Sequence, residues 1–142
     1  MAIDRVKVKK EADKLLAAGR VDRAIDELRK LLDDNPKDLN LMNQIGDLCI
    51  QSGKLGDAVD LFKRAAIGYE RDGFGARATA VLKKAFRHAP DDIDLASRLA
   101  DLYRQTNMIK DALQVHMQVA EHFTKKGLIK RCLLYTSPSP RD

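Results

Sequence analysis

The residues of this sequence best suited to metal or nucleophilic chemistry are three histidines and two cysteines. Cys49 and Cys132 lie in no CxxC motif, and His88, His116 and His122 have no histidine or cysteine partner at the spacing of a helical metal site. His116 falls at an aromatic packing position of a helix, where a core side chain is the usual occupant. We therefore expect no metal, no cofactor and no disulfide.

Paired carboxylates could do acid–base chemistry, and Asp33-Asp34 and Asp91-Asp92 are the candidates. Both pairs lie within two residues of a proline at a helix boundary, which favours helix capping over catalysis. The sequence has no GxSxG, P-loop or GxGxxG motif, and Gly73-Phe74-Gly75 follows no strand. We expect no catalytic residues and no enzyme.

Basic side chains are the remaining chemical signal. Two clusters stand out, Lys7, Lys9, Lys10 and Lys14 near the start and Lys83, Lys84, Arg87 and His88 further on. The net charge of +5 permits an anionic partner, but acids are interspersed and aromatics make up only 5%. A solvated face is therefore favoured over nucleic-acid binding, which stays as the alternative. No bulky apolar face opposes the lysines, so we expect no membrane binding.

Helix-ending residues set the rhythm of the chain. They are Gly19, Gly53, Gly73, Asn107 and Gly127, at intervals of 34, 20, 34 and 20 residues. A small residue follows the first four by five positions, namely Ala24, Ala58, Ala78 and Ala112. This spacing predicts helices over residues 3–18, 21–33, 39–52, 55–72, 75–88, 93–106 and 109–126.

The helix at 55–72 organises this prediction, because it serves as the second helix of one hairpin and the first of the next. Its counterpart at 109–126 comes 54 residues later, and nine of the 39 positions available at that offset are identical. Chance gives about two or three. We therefore predict a three-helix repeat, with Asp38 capping the helix after Pro36 and Asp91 or Asp92 capping the helix after Pro90. The inward stripe predicted for residues 109–126 is Ala112, Leu113, His116, Val119, Ala120 and Phe123.

These residues resemble the tetratricopeptide repeat family. The best-matching stretch has Gly46, Gly53, Ala58, Phe62 and Ala65 at the family's small and aromatic positions, and Pro36 and Pro90 close repeats. The resemblance implies an all-α, right-handed solenoid over residues 1–131, with about six helices plus a truncated seventh. It also implies a bacterial, cytoplasmic scaffold protein. The first 16 residues agree with the cytoplasm, since their closely spaced charges leave no apolar run for a signal peptide.

The resemblance further implies a groove, lined by the first helix of each pair, that binds a peptide or protein. Carrying the family's groove positions onto this sequence gives Lys9, Asp13, Asn40, Asn43, Gln44, Asp47, Asp94, Ser97, Arg98, Asp101 and Arg104. Amides such as Asn43 and Gln44 both donate to and accept from a peptide backbone. A purely solubilising role for these residues is the alternative.

The end of the chain departs from the repeat. Residues 132–142, CLLYTSPSPRD, resemble a translated sequencing adapter, and we predict a non-native, disordered tail there. A natural Pro/Ser-rich tail is the alternative. With the helix after Gly127 cut short, the apolar face of residues 109–126 lacks a cover, so we expect the chain to self-associate.

Overall fold

The computed structural model of the chain describes the backbone of residues 3–135 and the side chains of residues 3–127. Residues 3–135 form seven α-helices and no strand. The helices are α1 (Arg5–Ala17), α2 (Val21–Asp34), α3 (Leu39–Gln51), α4 (Leu55–Arg71), α5 (Gly75–His88), α6 (Ile93–Gln105) and α7 (Ile109–Tyr135). The chain divides into two compact units, Met1–Ala89 with α1 to α5 and Pro90–Asp142 with α6 and α7. The predicted all-α helical repeat is confirmed.

Left-handed residues make the four helix-to-helix turns alike. Gly19, Gly53, Gly73 and Asn107 have φ between 60° and 85°. After each one, the next backbone N–H donates to the carbonyl five residues earlier, as from Lys54 to Cys49 at 2.7 Å. This closes the preceding helix, and glycine adopts the conformation without the steric cost that a Cβ would add.

Aspartate caps start the helices that follow the proline segments. The carboxylates of Asp38 and Asp92 each accept a hydrogen bond at 3.1 Å from the backbone N–H three residues on. Both caps agree with the sequence prediction. Asp34, by contrast, is no cap, because it ends α2 and pairs with Arg5 of α1 at 3.4 Å.

α4 is the shared helix of the first unit. It packs against both α3 and α5, as predicted. The alanines five residues after each turn, Ala24, Ala58, Ala78 and Ala112, are at most 3% exposed. Their small side chains let neighbouring helices approach closely.

The sequence prediction for α7 is wrong in two respects. Gly127 does not end it, because its φ is not positive and the helix continues to Tyr135. A glycine within a helix costs only about 1 kcal/mol and stops it only when the backbone turns left-handed. The helix therefore enters the segment predicted to be disordered, and residues 136–142 lie outside the described residues.

The buried stripe of α7 also differs from the prediction. Ala112 and Val115 are buried, while Leu113 is 56% and Phe123 40% exposed, and His116 is exposed as well. Their counterparts on α4 are buried or half-buried because α4 packs against two helices, whereas within its unit α7 packs against α6.

Candidate functional site

The polar side of α3 carries four of the predicted groove residues, and we call it the α3 polar row. It consists of Asn40, Asn43, Gln44 and Asp47, spaced at i, i+3, i+4 and i+7. This spacing keeps the four side chains together on one side of a helix. Asn40 and Gln44 are exposed, and Asn43 and Asp47 are half-buried.

Tyr69 of α4 fixes the first member of the row. Its side chain is 4% exposed, and its hydroxyl donates to Asn40 Oδ1 at 2.8 Å. A buried tyrosine ring needs such a partner for its hydroxyl. The Nδ2 amide group of Asn40 is left to donate elsewhere.

Lys84 of α5 fixes two more members. Its Nζ donates to Asn43 Oδ1 at 2.8 Å and pairs with Asp47 Oδ1 at 2.6 Å. The same ammonium lies 4.8 Å from the ring centroid of Phe62 on α4. One cation thus joins α3, α4 and α5 through a hydrogen bond, an ion pair and a cation–π contact.

The ring of Phe62 reaches this position because of Gly46 on α3. Phe62 is 0% exposed, and a Cβ built on Gly46 would lie 2.5 Å from its Cε1. The glycine therefore leaves the space that the ring fills. At the equivalent positions 54 residues later, Ala100 stands for the glycine and His116 for the phenylalanine.

Gly68 on α4 has a similar role. A Cβ there would overlap the side chain of Leu39 on α3, so the glycine allows Leu39 to pack against the backbone of α4.

The other predicted groove residues are on α1 and α6. Lys9 and Asp13 are exposed on α1 in the first unit. Asp94, Ser97, Arg98, Asp101 and Arg104 are on α6 in the second unit. There Arg98 pairs with Asp94 at 3.2 Å, Arg104 pairs with Asp101, and Ser97 is exposed. Much of the charge on α6 is therefore balanced along the helix itself.

Sequence reasoning missed the roles of Tyr69 and Lys84. The sequence pattern places Lys84 only in a basic cluster, and it does not single out Tyr69. The available signal was position, because Lys84 follows the buried Val81 by three residues and precedes the buried Ala85. A lysine at the edge of a buried stripe has to find a partner for its charge.

No group of three or more potential metal ligands occurs among the residues whose side chains are described. Cys49 is buried, and its burial raises the pKa of its thiol above 9.0, although the nearby Arg29 opposes the shift. Within residues 3–135, no helix has both the length and the apolar character to cross a membrane.

Comparison with known proteins identifies the repeat. The family model described as tetratricopeptide repeat matches residues 9–74, which include all of α2, α3 and α4. No curated protein is significantly similar in sequence.

Several solved structures are distantly similar to this chain. MamA has a TM-score of 0.39 at 16% identity over 84% of this chain and 78% of that chain. MamA MSR-1 has a TM-score of 0.40 and 19% identity, and the match covers 84% of this chain and 76% of the MamA MSR-1 chain. PilF of Pseudomonas aeruginosa has a TM-score of 0.39 and 16% identity, and the match covers 80% of this chain and 59% of the PilF chain. These scores are too low to support an argument about the site. The tetratricopeptide repeat model thus matches residues 9–74, the part of the chain in which the sequence resemblance to this family is strongest.

Proposed function

We propose that this protein is a non-enzymatic interaction module that binds a peptide segment of a protein partner along the α3 polar row. Proteins of the tetratricopeptide repeat family generally bind other proteins. The observation that carries the proposal is the fixed orientation of Asn40 and Asn43 by Tyr69 and Lys84.

That orientation has a chemical consequence. A lysine ammonium donates and cannot accept, so only Oδ1 of Asn43 can face it, and the Nδ2 group points away. With the Nδ2 group of Asn40 and the exposed amide of Gln44, three amide donors follow one side of α3.

An extended partner segment suits these donors. Side chains at i, i+3 and i+4 of a helix lie about 5–6 Å apart, close to the roughly 6.8 Å repeat of carbonyls on one edge of an extended chain. Because two of the amides are already held, binding costs less side-chain entropy than it would for free rotamers. We propose Lys9 and Asp13 as flanking contacts on α1, and the α6 residues as a separate contact surface of the second unit.

Peptides selected from a displayed library against the wild-type chain test the proposal. Gln44→Arg places a bulky charge in the α3 polar row, and we expect it to lower the affinity of the selected peptides at least about tenfold. Gln114→Arg, at an exposed position of α7 in the other unit, is the matched control and should leave affinity unchanged. Equal binding by both variants would contradict the proposal.

The salt dependence of binding distinguishes a nucleic-acid ligand from a peptide ligand. Binding to heparin or single-stranded DNA that disappears at modest salt, with no peptide selected, would favour a nonspecific polyanion binder. Lys84, in the second basic cluster, is already engaged by Asn43 and Asp47.

A further inference from the structure

A second surface of the first unit differs in chemistry from the α3 polar row. It is a cleft of about 440 Å³ between the α2–α3 loop and the C-terminal half of α4, and we call it the basic cleft. Leu39 and Met42 of α3 lie between these two sides. Met42 is on a different face of α3 from the polar row and Leu39 is at the edge of the row, because the helix turns by about 100° per residue.

Uncompensated positive charge is the first property of the basic cleft. Its lining contains Lys37, Arg64 and Arg71, and its only acidic residue is Asp72. All three cations are exposed, and their side chains make no ion pair or hydrogen bond within the described part of the chain. Elsewhere in this unit, cations such as Arg5, Arg29 and Lys84 are paired with carboxylates. The field of the cleft therefore favours an anionic ligand.

An apolar centre between the cations is the second property. Arg64, Ile67 and Arg71 follow one face of α4 at i, i+3 and i+7, so the isoleucine lies between the two guanidinium groups. Ile67 is 43% exposed, while Met42 beside it in the lining is only 4% exposed. Gly68 adds no side chain, and the Leu39 side chain packs against the backbone of α4 at this point. No aromatic residue lines this cleft, so it offers no surface on which bases could stack.

We propose that the basic cleft binds an acidic peptide segment with one bulky aliphatic side chain between two carboxylates. The Cα atoms of Arg64 and Arg71 are about 10.5 Å apart along the helix. In an extended peptide, side chains at i, i+2 and i+4 point the same way and span roughly 13 Å. The long, flexible side chains of the two arginines can cover the small difference between these two lengths. The peptide then places a carboxylate on each guanidinium and its central side chain against Ile67.

The proposal concerns a different surface from that of the proposed function, and the two fail independently. The probe is a fluorescent peptide with glutamate, leucine and glutamate at alternate positions and serines between them. Fluorescence anisotropy gives its affinity for the intact chain. We expect Arg64→Ala together with Arg71→Ala to weaken it about tenfold, since two exposed guanidinium contacts are lost.

Matched controls separate the cleft from general basicity. Arg23→Ala together with Lys83→Ala removes two exposed cations away from the cleft lining and should change affinity less than twofold. Gln44→Arg should also leave this peptide unaffected, even where it abolishes binding of the selected library peptides. Thermal unfolding followed by circular dichroism checks that each variant is folded.

Peptide variants test the apolar centre. Replacing the leucine by serine should weaken binding about fivefold, because a partly buried aliphatic contact is lost. Replacing both glutamates by glutamine should abolish measurable binding. The proposal is overturned if the two double variants bind the peptide equally, if the leucine has no effect, or if single-stranded DNA competes for Arg64 and Arg71 as strongly as the peptide.

Discussion

The ammonium of Lys84 on α5 lies 4.8 Å from the ring centroid of Phe62 on α4, and it also binds Asn43 and Asp47 of α3. Phe62 has no exposed surface, and it fits against α3 where Gly46 has no side chain. These two residues therefore connect the shared helix to both of its neighbours. They also set the orientation of the side chains that we propose to bind a partner.

Removing the cation should destabilise the first unit modestly. We expect Lys84→Met, which keeps the aliphatic stem, to lower the free energy of unfolding by about 1 kcal/mol through loss of the cation–π contact and a half-exposed ion pair. Urea denaturation measures this. Lys83→Met, at the exposed neighbouring position, should stay within about 0.5 kcal/mol of the wild type. Equal losses in the two variants would show that the contacts of Lys84 contribute nothing.

A methyl group at Gly46 should be costly. Gly46→Ala places a Cβ 2.5 Å from the Phe62 ring, and we expect a loss of about 1–3 kcal/mol from overpacking. Combining it with Phe62→Leu should cost less than the sum of the single changes, as a double-mutant cycle in urea would reveal. Gly56→Ala is the control, since nothing lies within 4 Å of that Cβ, and it should be neutral or stabilising by up to about 1 kcal/mol. Strict additivity would contradict the packing explanation.

The two glycines that the sequence treats alike should respond oppositely to alanine. Gly73 has φ +85°, so Gly73→Ala should lose about 1 kcal/mol of unfolding free energy. Gly127 lies within α7, so Gly127→Ala should preserve or increase the helical circular dichroism signal. A loss of helical signal in Gly127→Ala would contradict this and would indicate a left-handed helix end at Gly127.

Alkaline pH should reduce stability. Burial raises the pKa of Cys49 above 9.0, and burial with the Asp111 charge raises the pKa of Tyr103 above 10.0. Each group therefore ionises first in the unfolded chain. Folding is therefore not opposed by these two groups below about pH 9, where both are neutral in either state. The free energy of unfolding then falls as the pH rises through the folded-state pKa values.

Urea titrations between about pH 8 and pH 10.5 measure this loss. Cys49→Ala should show a smaller decline just above pH 9, while the decline caused by Tyr103 at higher pH should remain. An identical pH dependence in both proteins would mean that the Cys49 thiol does not contribute.

Local physics made most of the fold predictable. Six of the seven predicted helices end within about two residues of their observed ends. The left-handed turn at Gly53 and the cap at Asp38 each depend on residues within one or two helical turns, so the sequence displays them directly. The predicted helix end at Gly127 is wrong because a glycine ends a helix only when its backbone adopts a left-handed conformation, and the residue type alone does not show this.

The sequence by itself determined the helices, their turns and the sharing of α4, because periodicity and capping are properties of short stretches of chain. Only the tertiary structure decided that Tyr69 holds Asn40, 29 residues away, and that Lys84 holds Asn43, 41 residues away. It also decided that the lining of the basic cleft includes Lys37, from the α2–α3 loop, together with residues of α4. Such contacts depend on how closely and at what angle helices pack, and packing is set by side-chain volumes across the whole unit.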